Sequence, residues 1–315
     1  MPHSSSTPAI EKLTDIIKES AHTLGFVKVG IAPATPLDSE ADRLDEWLHH
    51  GRHATMNWMA VRSDERKNIL NYFPEAKSVI CVGMNYFHGI ADGEMKISNY
   101  AWGDDYHVLL KERLYQLLES VKERLPDVTG VACVDTSPVM EKVWAQRAGL
   151  GWIGKHTNLI SRDYGSWLFL GELILDCELD YDDRFEEDLC GSCTACLDAC
   201  PTNAIVEDYL VDSRRCISYL TIEHRGDLPD EFAGQLGEWI YGCDICQEVC
   251  PWNQKFSQKS REPLFAPTSE IVERNPEEWS RLTEEEYRRI FRNSPVKRAK
   301  FTGLKRNIQS VLSNS

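Results

Sequence analysis

Eight of the eleven cysteines fall between Cys190 and Cys250, and no other feature restricts this 315-residue chain so sharply. A chain of that length builds its core from apolar side chains and has no need of a disulfide scaffold. In a reducing compartment, thiols at this density point to bound metal. Two readings favour such a compartment. The opening MPHSSSTPAI has no basic stretch, no apolar stretch and no twin arginine, so it does not read as an export signal. No apolar run nears the ~18 residues that cross a bilayer; the best, Trp167 to Leu175, is broken by Gly171 and Glu172. The expectation is a cytoplasmic monomer without membrane contact.

Composition sets broader limits. With 42% hydrophobic and 27% charged residues, a packed core is expected and wholesale disorder is excluded. A net charge of −15 argues against a general polyanion binder. Yet no acidic residue occurs from Tyr287 to Ser315, while Arg288, Arg289, Arg292, Lys297, Arg298, Lys300, Lys305 and Arg306 all lie there. That segment is either a solvated helix face or a surface that meets phosphates.

Apolar periodicity predicts helices at 8–24, 37–50, 105–125 and 139–148, and strands at 26–32, 78–87, 128–134, 156–161 and 166–175. Strands alternating with helices predict an α/β layered domain over 1–180. The acidic stretch 180–188 reads as a linker, the cysteine module occupies 181–255, and 256–315 reads as polar loops followed by helices. Trp47, Trp58, Trp144 and Trp152 read as core, and Trp102 as lining a cleft.

Cys190, Cys193, Cys196 and Cys200, followed by Pro201, make a CxxCxxCxxxCP run that resembles bacterial ferredoxins. A second copy, Cys243, Cys246 and Cys250 with Pro251, lacks its first cysteine, which Cys216 supplies. In two-cluster ferredoxins the last cysteine of each run serves the other cluster. That rule implies one 4Fe–4S cluster on Cys190, Cys193, Cys196 and Cys250, and a second on Cys200, Cys216, Cys243 and Cys246. Zinc is the alternative. Cys81, Cys133 and Cys177 sit in apolar strands and read as buried thiols.

The large domain has no GxGxxG, no Walker motif and no DxHxxG; Asp105 and His107 begin the last, but Leu110 replaces its glycine. Several short motifs together are more telling. They are DERKN with Arg66, FPEAKSVI, YAWGDDYH (100–107), VDTSP (134–138), QRAGLGWIGKHTNLI (146–160) and YGSW (164–167). RCISYLTIEHRG (215–226) and YGCDICQEVCPWN (241–253) continue the series. From about residue 10 to 255 the chain resembles the epoxyqueuosine reductase family. The resemblance implies a nitroreductase-like cobalamin-binding α/β domain, a two-cluster ferredoxin-like domain and a short helical C-terminal region. It also implies reduction of an epoxide to an alkene at the wobble position of tRNA, with an external electron donor. Cobalamin contacts map to Arg66, Ser98, Asp135, Leu159, Leu170, Ser218, Arg225, Cys243 and Asp244, and the proton donor to Asp135. The cobalamin is expected base-off, because the histidine motif that would ligate cobalt is missing.

The chemistry of the residues fits this resemblance. Removing an epoxide oxygen as water takes two electrons and two protons. Clusters deliver electrons singly, and a cobalt centre can collect them. Strand alternation in VACVDTSP puts Val131, Cys133 and Asp135 on one face. Burial there is expected to raise the Asp135 pKa and keep its carboxyl protonated; the alternative is a turn former. Tyr106 and His107 are candidates for substrate contact or proton delivery, and Arg298, Lys300, Lys305 and Arg306 for tRNA phosphates. Two other readings stay open: a cobalamin and iron–sulfur reductive dehalogenase, or a ferredoxin-type electron-transfer adaptor.

Overall fold

The computed structural model describes residues 8–314, so the MPHSSST segment lies outside the described residues. In chain order the strands are β1 (Lys28–Pro33), β2 (Ser78–Asn85), β3 (Lys96–Ile97), β4 (Gly130–Cys133) and β5 (Trp152–Ile153). They continue with β6 (Leu159–Ile160), β7 (Leu168–Leu175), β8 (Ile205–Glu207), β9 (Leu210–Val211) and β10 (Trp239–Tyr241). The main sheet has the order β1-β2-β7-β4. Strands alternate with helices along the chain as expected, but every pairing in this sheet is antiparallel.

All residues of β2 and β7 are buried, because helices cover both faces of the sheet. The period of two distributes the side chains between those faces. Ile80, Val82, Met84, Leu173 and Leu175 pack with Leu110, Leu114 and Leu117 of helix Tyr106–Lys122. Val79, Cys81, Leu170 and Ile174 pack with Trp144 and Ala145 of helix Glu141–Arg147. On that second face Glu172 is fully buried, in register with Cys81 on one side and Cys133 on the other.

A further core unites segments far apart in sequence. Met95, Ile97 and Trp102 pack with Leu220, Tyr241, Trp279, Leu304 and Ile308. The short parallel pairing of β3 with β10 stitches this region together. Asn307, buried in helix Lys300–Leu312, donates to the carbonyls of Thr221 and Ile240 at 2.9 Å each. Short segments of this kind bury too little apolar surface alone, so the C-terminal helix closes a core that residues 91–102 and 217–241 begin.

Some local expectations change. The strand expected at 156–161 shrinks to β6, whose partner β5 was not expected to be a strand. The acidic stretch read as a linker has no regular structure, yet Asp182 anchors it by accepting from Ile31 N (2.8 Å) and Lys18 Nζ (2.6 Å). Trp144 and Trp152 are buried. Trp58 is 45% exposed and lies beneath the Arg66 guanidinium, and Trp102 is buried with its indole N–H on the Ile97 carbonyl, bordering a cavity of about 280 Å³ that His88, Met95 and Ile271 also line.

The cysteine module docks on the main domain through a buried polar network. Asn253 Oδ1 accepts from Ser166 N (2.6 Å), and Asn253 Nδ2 donates to Ser166 Oγ (2.8 Å). Gln247 Nε2 donates to Ser166 Oγ (3.0 Å) and Tyr86 OH (3.2 Å). Gly165 has φ +62°, and a Cβ there would stand 2.0 Å from Asn253 Oδ1. The YGSW and CPWN motifs are therefore two halves of one contact.

Candidate active site

Strand β4 ends at Cys133, and Asp135 takes a left-handed φ of +50°. The strand alternation expected to carry Asp135 onto an apolar face therefore stops before reaching it. Its backbone N–H donates to Glu141 Oε1 at 2.5 Å, which holds the turn to the first residue of the next helix. The carboxylate is 56% exposed. The expected desolvation of Asp135 is not what surrounds it; its partner is a histidine.

That partner is His107. Asp105 caps helix Tyr106–Lys122 by accepting from His107 N, and the same oxygen meets His107 Nδ1 at 2.7 Å. His107 Nε2 lies 2.9 Å from Asp135 Oδ2. The imidazole stacks on Tyr106, which in turn stacks on Phe169 of β7. Burial alone would lower the His107 pKa; its bonds to Asp105 and Asp135 outweigh burial and raise it to about 9.

Behind this pair lies an acidic floor that sequence reasoning missed. Burial, reinforced by the charge of Asp135, pushes the Glu141 pKa up. Glu172 is pushed well above the carboxylate range by its own burial and by Glu141, and neither of its oxygens has a partner. The available sequence signals were an acid in the first turn of a helix and a lone charge inside an otherwise apolar strand.

Arg66 is buried, donates from Nη1 to Ser137 O at 3.2 Å, and has no partner for Nε. It lies within electrostatic reach of both Asp135 and Glu141. Ser98 donates to Asp244 Oδ1 (2.5 Å), and Asn99 N donates to Asp244 Oδ2 (2.7 Å). Gly242, at φ +68°, keeps this seam closed, since a Cβ there would meet Ser98 Cβ at 2.5 Å. Burial raises the Asp244 pKa to about 7. Leu159 and Leu170 share the core of the second sheet face. Ser218 is half-buried beside Cys216. Arg225 is exposed, with Nη1 and Nη2 donating to the carbonyls of Ile222, His224 and Arg298.

None of the eleven cysteines is in a disulfide. Among the described residues, no three metal-ligating side chains converge as a single ion requires. Instead Cys190, Cys193, Cys196 and Cys250 ring a cavity of about 190 Å³. A donor set of four thiols around an open volume suits a multi-iron cluster rather than one tetrahedral zinc. Cys246 lies within electrostatic reach of Cys216 and Cys200, and also of Cys196, so the two cysteine groups adjoin. Lys142 is reached by the charges of Asp135, Cys246 and Cys216. Lys142 therefore links the Asp135–His107 pair electrostatically to the second cysteine group, and the candidate cleft is assigned between them.

The basic segment divides. Lys305 Nζ donates to the carbonyls of Ser280 and Leu282. Arg306 donates to the carbonyls of Leu220, His224 and Gly226. Both side chains are turned onto helix ends and a loop, where protein carbonyls occupy their donors. Arg298 forms a two-point pair with Glu223, at 2.8 Å each, and Lys300 is exposed. The charge of Lys297 reaches Asp105, and that of Arg298 reaches Asp135.

Residues 66–136 match the family model described as "Epoxyqueuosine reductase QueG, DUF1730", and residues 189–253 match "4Fe-4S double cluster binding domain". The chain is 46% identical to an epoxyqueuosine reductase of Cellulophaga algicola over 300 residues, covering 95% of this chain and 97% of that one. It is also 46% identical to one from Synechocystis over 297 residues, covering 90% of this chain and 100% of that one. A crystal structure of epoxyqueuosine reductase with an epoxyqueuosine-modified tRNA-Tyr stem loop superposes with a TM-score of 0.87 at 30% identity, covering 96% of this chain and 81% of that one. The Bacillus subtilis enzyme with its catalytic aspartate loop swung out of the active site superposes with a TM-score of 0.87 at 29% identity, covering 96% and 82%.

Proposed function

Because the chain belongs to the epoxyqueuosine reductase family, we infer that its cleft reduces the epoxide of epoxyqueuosine in tRNA to the alkene of queuosine. The protein is an oxidoreductase acting on tRNA, with a double 4Fe–4S cluster domain. No helix among the described residues is long and apolar enough to cross a membrane.

The observation that carries the mechanism is the histidine held between two carboxylates at the cleft. The epoxide gains two electrons, and its oxygen departs as water with two protons. Asp135 is the proton donor of this reading, and His107 stores the proton behind it. With its pKa near 9, His107 stays protonated at neutral pH, and its Nε2–H points at Asp135 Oδ2. Asp105 fixes the ring orientation through Nδ1. Because Asp135 is more than half exposed, the pair can be recharged from the open side for the second proton.

Cobalamin fits the cleft on one count independent of the resemblance: the buried, unpartnered Arg66 Nε beside Asp135 matches an amide-rimmed ligand. Arg66, Ser98, Asp135, Leu159, Leu170, Ser218, Arg225, Cys243 and Asp244 are the residues that would hold it. When bound, the cofactor supplies a cobalt centre that collects electrons delivered singly and passes them to the epoxide carbons. His107 would offer it no free nitrogen, since both ring nitrogens are committed to carboxylates. Cys190, Cys193, Cys196 and Cys250 would hold the cluster open to an external electron donor, because Cys193 is the exposed thiol of the group.

The test is direct. Anaerobically reconstituted protein, reduced chemically and mixed with an epoxyqueuosine-bearing stem loop, yields queuosine, read by mass spectrometry as loss of one oxygen. Cobalamin bands accompany the iron–sulfur absorption of the purified protein. Absence of product from fully loaded protein overturns the reading.

A further inference from the structure

His156 is a buried polar group that the chemistry above leaves unused. It lies in the turn joining β5 to β6, closed by a bond from Gly154 N to Asn158 O at 2.9 Å. The residue is 4% exposed. Its Nδ1 accepts from Asn158 N–H at 3.2 Å, so Nδ1 presents a lone pair and the ring proton resides on Nε2. That Nε2–H is buried and has no acceptor in the protein. Buried donors are rarely left so.

The same side chain lines the cavity of about 190 Å³ ringed by Cys190, Cys193, Cys196 and Cys250. The other walls include Ile160, Leu189, Pro251 and Trp252. The competing donors are engaged elsewhere: Lys155 pairs with Asp208 at 3.0 Å, and Lys142 donates to Asn158 Oδ1 at 2.8 Å. The acceptor that completes His156 is therefore the occupant of the cavity.

We propose that His156 Nε2–H donates a hydrogen bond to a sulfur of the 4Fe–4S cluster held by these four cysteines, and raises its reduction potential. The proposal rests on the cluster reading above. One-electron reduction adds a negative charge to the cluster. An N–H aimed at its sulfur binds the reduced form more tightly, because hydrogen bonds to charged acceptors are the stronger ones. His156 thus makes the entry cluster an easier acceptor for the external donor.

The experiment is an EPR-monitored redox titration of the reconstituted holoprotein. His156→Leu lowers the ratio of reduced to oxidised cluster at a given potential about tenfold, a shift of about 59 mV for one electron. It leaves the other cluster where it was. His156→Gln, which keeps an N–H, restores most of the shift. Iron and sulfide content of the same samples separates the two ways to fail. Wild-type protein that cannot load both clusters overturns the cluster reading. Fully loaded His156→Leu with an unmoved potential overturns the hydrogen bond. If His156→Leu does not assemble, pulsed EPR of reduced wild-type protein labelled with 15N-histidine decides: a nitrogen coupling to the cluster supports the bond, and its absence overturns it.

Discussion

Asp135 shows what a single residue inherits from its neighbours. The carboxylate stands at a left-handed turn, kept in place by Glu141 behind and by His107 in front. Asp135→Asn retains size and most bonding, so folding and cluster content survive in that variant. Turnover of epoxyqueuosine tRNA falls by about 10²–10⁴, the usual contribution of general acid catalysis. Near-normal single-turnover rates in Asp135→Asn remove Asp135 from the mechanism. His107 makes a second prediction. Its folded pKa of about 9 is raised above the unfolded value near 6.5. The stabilisation from its pairing is therefore full below about 6.5 and is lost as pH rises through about 9. The groups facing it are Asp105, Asp135 and Glu141, with Lys297 beyond Asp105. Turnover accordingly drops on the alkaline side near pH 9, and a kcat profile of His107→Gln lacks that limb. Sequence reasoning found Asp135 and His107 separately. Their pairing was illegible, because 28 positions separate them and only the packing of helix Tyr106–Lys122 against the sheet brings them together.

Among the elements, the C-terminal helix departs most from its sequence reading. Leu304, Ile308 and Val311 are buried at i, i+4 and i+7, as an amphipathic helix requires. Lys305 and Arg306 flank that apolar stripe, so their long side chains reach carbonyls across the helix–core junction instead of solvent. Arg306→Ala leaves the part-buried carbonyls of Leu220 and His224 without this donor and costs on the order of 1 kcal/mol in denaturant unfolding. An unchanged midpoint contradicts this. Arg292, Lys297 and Lys300 are exposed. Changing these three to Ala weakens tRNA binding and lowers the log–log salt slope by about 0.7–0.9 per lost phosphate contact. Lys305→Ala leaves that slope unaltered. Charge counting revealed the basic segment but could not separate donors spent internally from those left for a ligand, since both kinds look alike in one dimension.

At the scale of the molecule, the two cysteine runs and the main sheet act as one device. Reconstituted protein is expected to contain about eight iron and eight sulfide per chain by metal and sulfide analysis. Cys250→Ala damages the cluster of Cys190, Cys193 and Cys196; loss of the cluster on Cys243 and Cys246 instead contradicts the crossover. EPR of protein loaded with the cobalt(II) cofactor tests the proposed base-off state: no nitrogen splitting from a lower axial ligand is expected, and its appearance counts against that proposal. The sequence by itself determined the ligand chemistry, the family, and the strand and helix alternation, because residue spacing and periodicity are local properties that survive without a fold. Only the tertiary structure decided the antiparallel order of the sheet, the joining of YGSW to CPWN, and the core shared by residues 91–102, 217–241 and the C-terminal helix. It alone decided the meeting of His107 with Asp135, and which basic side chains face inward. These depend on contacts between segments distant in the chain, where burial and the pairing of polar groups are settled for the whole molecule at once.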